Sequence, residues 1–102
     1  MVEAAAVVGQ LIDGRTREDL DTDIALRLAV VRAIEIVGEA ASRLSAETKN
    51  AVPAVPWAAI AGMRNRLVHA YFDIDYDVVW RTASIEVPVI LVSLRDALDA
   101  PS

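Results

Sequence analysis

The stretch from about Asp23 to Leu44 contains no proline and one internal glycine, Gly38. It predicts a helix of roughly 30 Å, long enough to cross a small domain. Thr22 is the expected N-cap. With successive residues about 100° apart, Ile24, Leu28 and Val31 fall on one face, and Leu26, Ala33, Val37, Ala40 and Leu44 fall on the opposite face. A helix apolar nearly all round in its first half needs cover on both sides. One side can pack on its own chain. The other is covered either inside a monomeric bundle or by a second copy. Further along, that second face turns polar, with Arg32, Glu35, Glu39, Ser42 and Arg43 in one arc. The Glu39–Arg43 spacing permits an ordinary surface ion pair. The alternative is a polar lining where two subunits part.

Shorter helices are expected around this one. Residues 3–12 predict a helix that stops near Asp13-Gly14. Thr16-Arg17-Glu18-Asp19 has the form of a capping box, and Ser45 opens a turn through Thr48. Pro53 and Pro56 interrupt the chain, and Pro56 suits the first position of a helix covering about 57–70. Asp73-Ile74-Asp75 caps a last helix from about 76 to 98, bent at Pro88. No segment alternates as a strand, so the expected class is all-α. At 102 residues the chain has the size of one domain, residues 1–102.

Composition narrows the chemistry. Hydrophobic residues make up 55% of the chain, mostly Ala, Val, Ile and Leu, which suits packed helices with apolar surface left for another subunit. The absence of cysteine excludes disulfides, thiolate metal sites and a Cys nucleophile. No charge-free apolar run reaches membrane-spanning length, so no membrane association is expected. The apolar N-terminus opens with Glu3 and lacks the basic start of a signal peptide, so the expected location is the cytoplasm. A net charge of −5 argues against general nucleic-acid binding, DNA included, and confines any RNA contact to a local basic patch. Nine of the ten basic residues are Arg, the side chain best suited to bidentate phosphate contacts.

One segment concentrates reactive groups: Gly62-Met63-Arg64-Asn65-Arg66-Leu67-Val68-His69-Ala70-Tyr71, which holds the only histidine. On a helix, Arg64, Val68, Asn65 and His69 share one arc, while Ile60, Met63 and Leu67 face the core. Ala58 and Ala61 lie beside Arg64 and His69, with Gly62 just beyond, and let a substrate or second helix approach closely. Asn65, one turn before His69, can orient the imidazole, and Arg66 and Glu39 complete the supporting set. A group with a pKa of about 6.5 beside a guanidinium suits RNA transesterification, which needs proton transfer and a positive charge at the phosphorane. A lone His at a helix end is also a common capping or core residue, so the chemistry alone does not decide. No cofactor is required, and one His without Cys makes a zinc site a poor fit.

Arg64, four intervening residues, His69, one residue and Tyr71 resemble the RX4HXY motif of HEPN ribonucleases. Glu35-Ile36-Val37-Gly38-Glu39-Ala40-Ala41, Val55-Pro56-Trp57 and Asp73-Ile74-Asp75 are similar to the HepT branch, and the likeness covers about residues 16 to 98. That resemblance implies an all-α, HEPN-type antiparallel helical bundle, homodimeric, with two Arg64–His69 pairs facing across a cleft. It implies a metal-independent endoribonuclease toxin of a type VII-like toxin–antitoxin pair. The implied antitoxin is a MntA-like nucleotidyltransferase able to transfer AMP from ATP to Tyr71. The competing reading is a non-catalytic module that binds nucleotide or the partner through the same residues.

Overall fold

A computed structural model describes residues 1–53, 55–62 and 75–99, with side-chain surroundings given through residue 96. Every regular element among them is helical: α1 (Val2–Ile12), α2 (Asp19–Thr22), α3 (Ile24–Ser42), α4 (Ala46–Ala51), α5 (57–62), α6 (Tyr76–Arg81), a π turn (Thr82–Glu86) and α7 (Val87–Asp99).

α3 is the central helix. It starts one residue later than expected because Asp23 is its N-cap: the Asp23 carboxylate accepts from the Leu26 amide at 3.0 Å, while Thr22 ends α2. An extended residue with a short acidic side chain offers an acceptor to the free amides of the first turn, and Asp23 meets both conditions. Leu26, Val30, Ala33, Ile34, Val37 and Ala41 form its buried stripe. α1 packs along α3 and α7, and contributes Ala5 and Val8 to the core. It ends where Asp13 becomes extended and Gly14 takes φ 72°, a conformation that glycine adopts without a Cβ clash.

Only half of the expected capping box forms at α2. Asp19 accepts from the Thr16 amide at 2.8 Å, and no Thr16 side-chain bond returns to the helix. α4 follows the expected start, with the Ser45 hydroxyl accepting from the Thr48 amide at 3.1 Å. Pro56 lies just before α5, and its carbonyl accepts the first helical bond, from the Ile60 amide. The continuation of this helix to residue 70 lies outside the described residues.

The last helix departs from regularity ahead of Pro88, as a π turn. The Val87 amide bonds to the Thr82 carbonyl, five residues back. A proline ring crowds the carbonyl four residues earlier, here that of Ser84, and the wider turn gives it clearance. The Thr82 and Ser84 hydroxyls donate to the carbonyls of Val78 and Trp80, so Thr82 is buried with its polar atom satisfied. Ala83, Val87, Ile90 and Leu94 close the core against α1.

Candidate functional site

Arg64, Asn65, Arg66, His69 and Tyr71 lie outside the described residues, as do Met63 and Leu67 of the expected core face. The structure defines the chain on either side of them. On the upstream side, Ile60 is fully buried and fixes the rotation of α5. The Trp57 indole N–H donates to the carbonyls of Lys49 and Val52, both at 3.0 Å, tying the start of α5 to the end of α4. With Ile60 inward, Ala58 and Ala61 are exposed and form a small-residue surface open to approach.

On the downstream side, the Asp75 carboxylate accepts from the amides of Asp77 at 2.9 Å and Val78 at 3.4 Å, which starts α6. The expected Asp73-Ile74-Asp75 cap therefore rests on Asp75. The next turn is held from a distance. The Arg17 Nε donates to Asp77 at 2.6 Å, and its Nη1 lies 3.0 Å from Asp21. Hydrogen bonding to Asp77 first, and to Asp21 second, raises the Arg17 pKa above its already high ordinary value. The half-buried Tyr76 ring has two guanidinium groups over it, with Arg17 6.0 Å and Arg27 5.1 Å from its centroid. This cluster joins the loop before α2, α3 and the first turn of α6. The sequence reading missed it: Arg17 and Asp77 are separated by 60 positions, and no local pattern relates them.

Glu39 sits half-buried on α3, and its recorded ion pair is with Arg32 at 3.8 Å rather than with Arg43. Arg32 also reaches Glu35 at 3.2 Å, so one guanidinium bridges two carboxylates along the polar arc. Above that arc, Ile24 and Leu28 are 59% and 62% exposed, whereas Val31 packs partly against the core. The two-sided burial expected for α3 is thus one-sided within the chain. Among the described residues no cluster of three or more His, Asp or Glu side chains is placed to hold a metal ion, and no helix is long and apolar enough to cross a membrane.

A chain whose described elements are all helical, with an Arg-and-His segment in the sequence between two anchored helix starts, is the class these features define. The family description "Ribonuclease HepT-like" matches residues 1–96, and the chain belongs to that family. The match takes in α1, so the family likeness reaches further toward the N-terminus than the motifs indicated. The chain is 38% identical over 87 residues to "Putative RNase TTE0752" of Caldanaerobacter subterraneus subsp. tengcongensis, covering 85% of this chain and 78% of that one. It is 38% identical over 91 residues to "Probable ribonuclease HepT" of Thermococcus cleftensis, covering 85% and 83%. It is 40% identical over 73 residues to "Putative RNase MJ1216" of Methanocaldococcus jannaschii, covering 72% of this chain but 60% of that relative. No solved structure matches.

Proposed function

We propose that this protein is a metal-independent endoribonuclease, built as one HEPN domain and active as a homodimer, and that it serves as the toxin of a pair with a MntA-like nucleotidyltransferase. The observation that carries this reading is the family match over residues 1–96 in a chain that retains Arg64, His69 and Tyr71 at the RX4HXY spacing. His69 moves the proton between the attacking 2′-OH and the leaving 5′-oxygen. Arg64 stabilises the charge that builds on the phosphorane. Asn65, Arg66 and Glu39 support the pair, and Tyr71 accepts AMP from the partner. A phosphodiester attached there brings negative charge to the phosphate site and excludes RNA.

Ile24 and Leu28 exposed on α3, together with exposed Ala58 and Ala61 on α5, support a dimer that brings two copies of the segment to one cleft. Induced expression in a host without the partner tests the function. Growth arrest with RNA cleavage is expected, retained in EDTA and lost in Arg64→Ala and His69→Ala, because removing a general acid–base group typically costs ~10²–10⁴ in rate. Folded variants as active as the parent would refute the catalytic assignment. A folded parent that cleaves no RNA would leave the binding-module reading in its place. Intact mass after co-expression with the nucleotidyltransferase tests Tyr71. Equal neutralisation of Tyr71→Phe would mean that the partner acts by occlusion alone.

A further inference from the structure

Five residues on the outer side of α6–α7 are exposed at spacings of four, four, three and four: Arg81, Ile85, Val89, Val92 and Asp96. They form the reverse of the buried stripe Ala83, Val87, Ile90 and Leu94. Ile85 and Val89 are each 59% exposed and Val92 is 60% exposed. Single exposed aliphatics are ordinary, but three on consecutive turns form a patch that marks a contact surface. Arg81 adds a positive charge at one end and Asp96 a negative charge at the other. Among the described residues, neither has an ion-pair partner in its own chain. Arg95 is also exposed, but lies about 100° round the helix from Asp96 and off the seam.

The order of these groups identifies the occupant. The midpoint of the stripe falls between Pro88 and Val89. A second copy rotated by 180° about that point sets Arg81 opposite Asp96, Ile85 opposite Val92, and Val89 beside its own symmetry mate. Each group meets its complement, as an isologous two-fold contact requires. A parallel arrangement in register instead sets Arg81 against Arg81 and Asp96 against Asp96, which repels at both ends.

We propose that this stripe is an antiparallel contact between two copies of the chain, separate from the α3 face. Three aliphatics cover much less than a standard interface, so the contact is weak alone and depends on concentration. Linked to a second two-fold contact through α3, it gains avidity and carries assembly past a dimer. The result is a closed tetramer if the two axes meet at right angles, and an open array if they do not.

The absence of cysteine from the chain allows a direct test by disulfide trapping. Under mild oxidation Val89→Cys crosslinks to a dimer well above the collision background given by Glu47→Cys on the exposed surface of α4. Ile85→Cys or Val92→Cys alone crosslinks poorly, since seven residues of offset separate symmetry mates by about 10 Å, beyond disulfide reach. A mixture of those two variants yields the mixed dimer. In the Val89→Cys background, Arg81→Asp or Asp96→Arg each slows crosslinking about tenfold, and the two together restore it. Circular dichroism confirms that each variant keeps its helices. Val89→Cys at background rate, homodimers of Ile85→Cys exceeding the mixed pair, or no restoration by the double charge swap would each overturn the proposal.

Discussion

Replacing Asp75 with alanine asks how firmly the chain is held just past Tyr71. Its carboxylate accepts from the Asp77 amide at 2.9 Å and from the Val78 amide at 3.4 Å. The first is a full hydrogen bond and the second is near the limit of useful length, so about one bond is at stake. Loss of an N-cap acceptor typically costs ~1 kcal/mol. The negative charge at the positive end of a helix adds about 0.3–1 kcal/mol at low salt. Asp75→Ala is therefore expected to lower stability by about 1–2 kcal/mol. Asp75→Asn keeps a capping oxygen and loses only the charge, so it is expected to cost about 0.5 kcal/mol. For a domain of this size each 1 kcal/mol corresponds to roughly 4–8 °C in Tm. Thermal unfolding followed by circular dichroism, at one protein concentration because association shifts Tm, gives the comparison. Asp75→Asn as damaging as Asp75→Ala, or Asp75→Ala within ~0.3 kcal/mol of the parent, would refute the capping argument.

Three further outcomes follow from the packing. Ile34→Ala, at a fully buried position on α3, is expected to cost about 2–5 kcal/mol by urea unfolding with an unchanged slope. Trp57→Phe leaves the Lys49 and Val52 carbonyls without the indole donor and is expected to cost about 1 kcal/mol, read by the same titration. Leu28→Glu, at a position 62% exposed, is expected to leave the helical spectrum intact while lowering the light-scattering mass, because it removes the proposed α3 contact. An unchanged mass would place the dimer contact elsewhere.

Much of the fold was legible because helices report themselves locally. The apolar period of α3, the Ser45 and Asp75 caps, the Gly14 stop and the break at Pro53 and Pro56 all act within a few residues. One local reading slipped for an equally local reason. Thr22 and Asp23 are both good caps, and Asp23 takes the role because α2 uses Thr22 as its last residue. Pro88 predicts a disturbance, and the structure shows it as a π turn that keeps Ala83, Val87 and Ile90 in the core. At the candidate site the motif spacing was legible from the residues alone. The anchoring of its downstream side by Arg17, Tyr76, Arg27 and Asp77 was not.

The sequence by itself determined the helical class, the position of the long central helix and the spacing of Arg64, His69 and Tyr71 within one short segment. Periodicity, capping and motif spacing are short-range properties, set by side chains a few positions apart. Only the tertiary structure decided which apolar faces the chain covers itself. Ile24 and Leu28 are as apolar as Leu26 and Val30, and Val89 and Val92 as apolar as Val87 and Ile90, yet the first of each set is open and the second buried. That division follows from where α1 lies, since one helix packed against both α3 and α7 covers one side of each and leaves the other to whatever binds there.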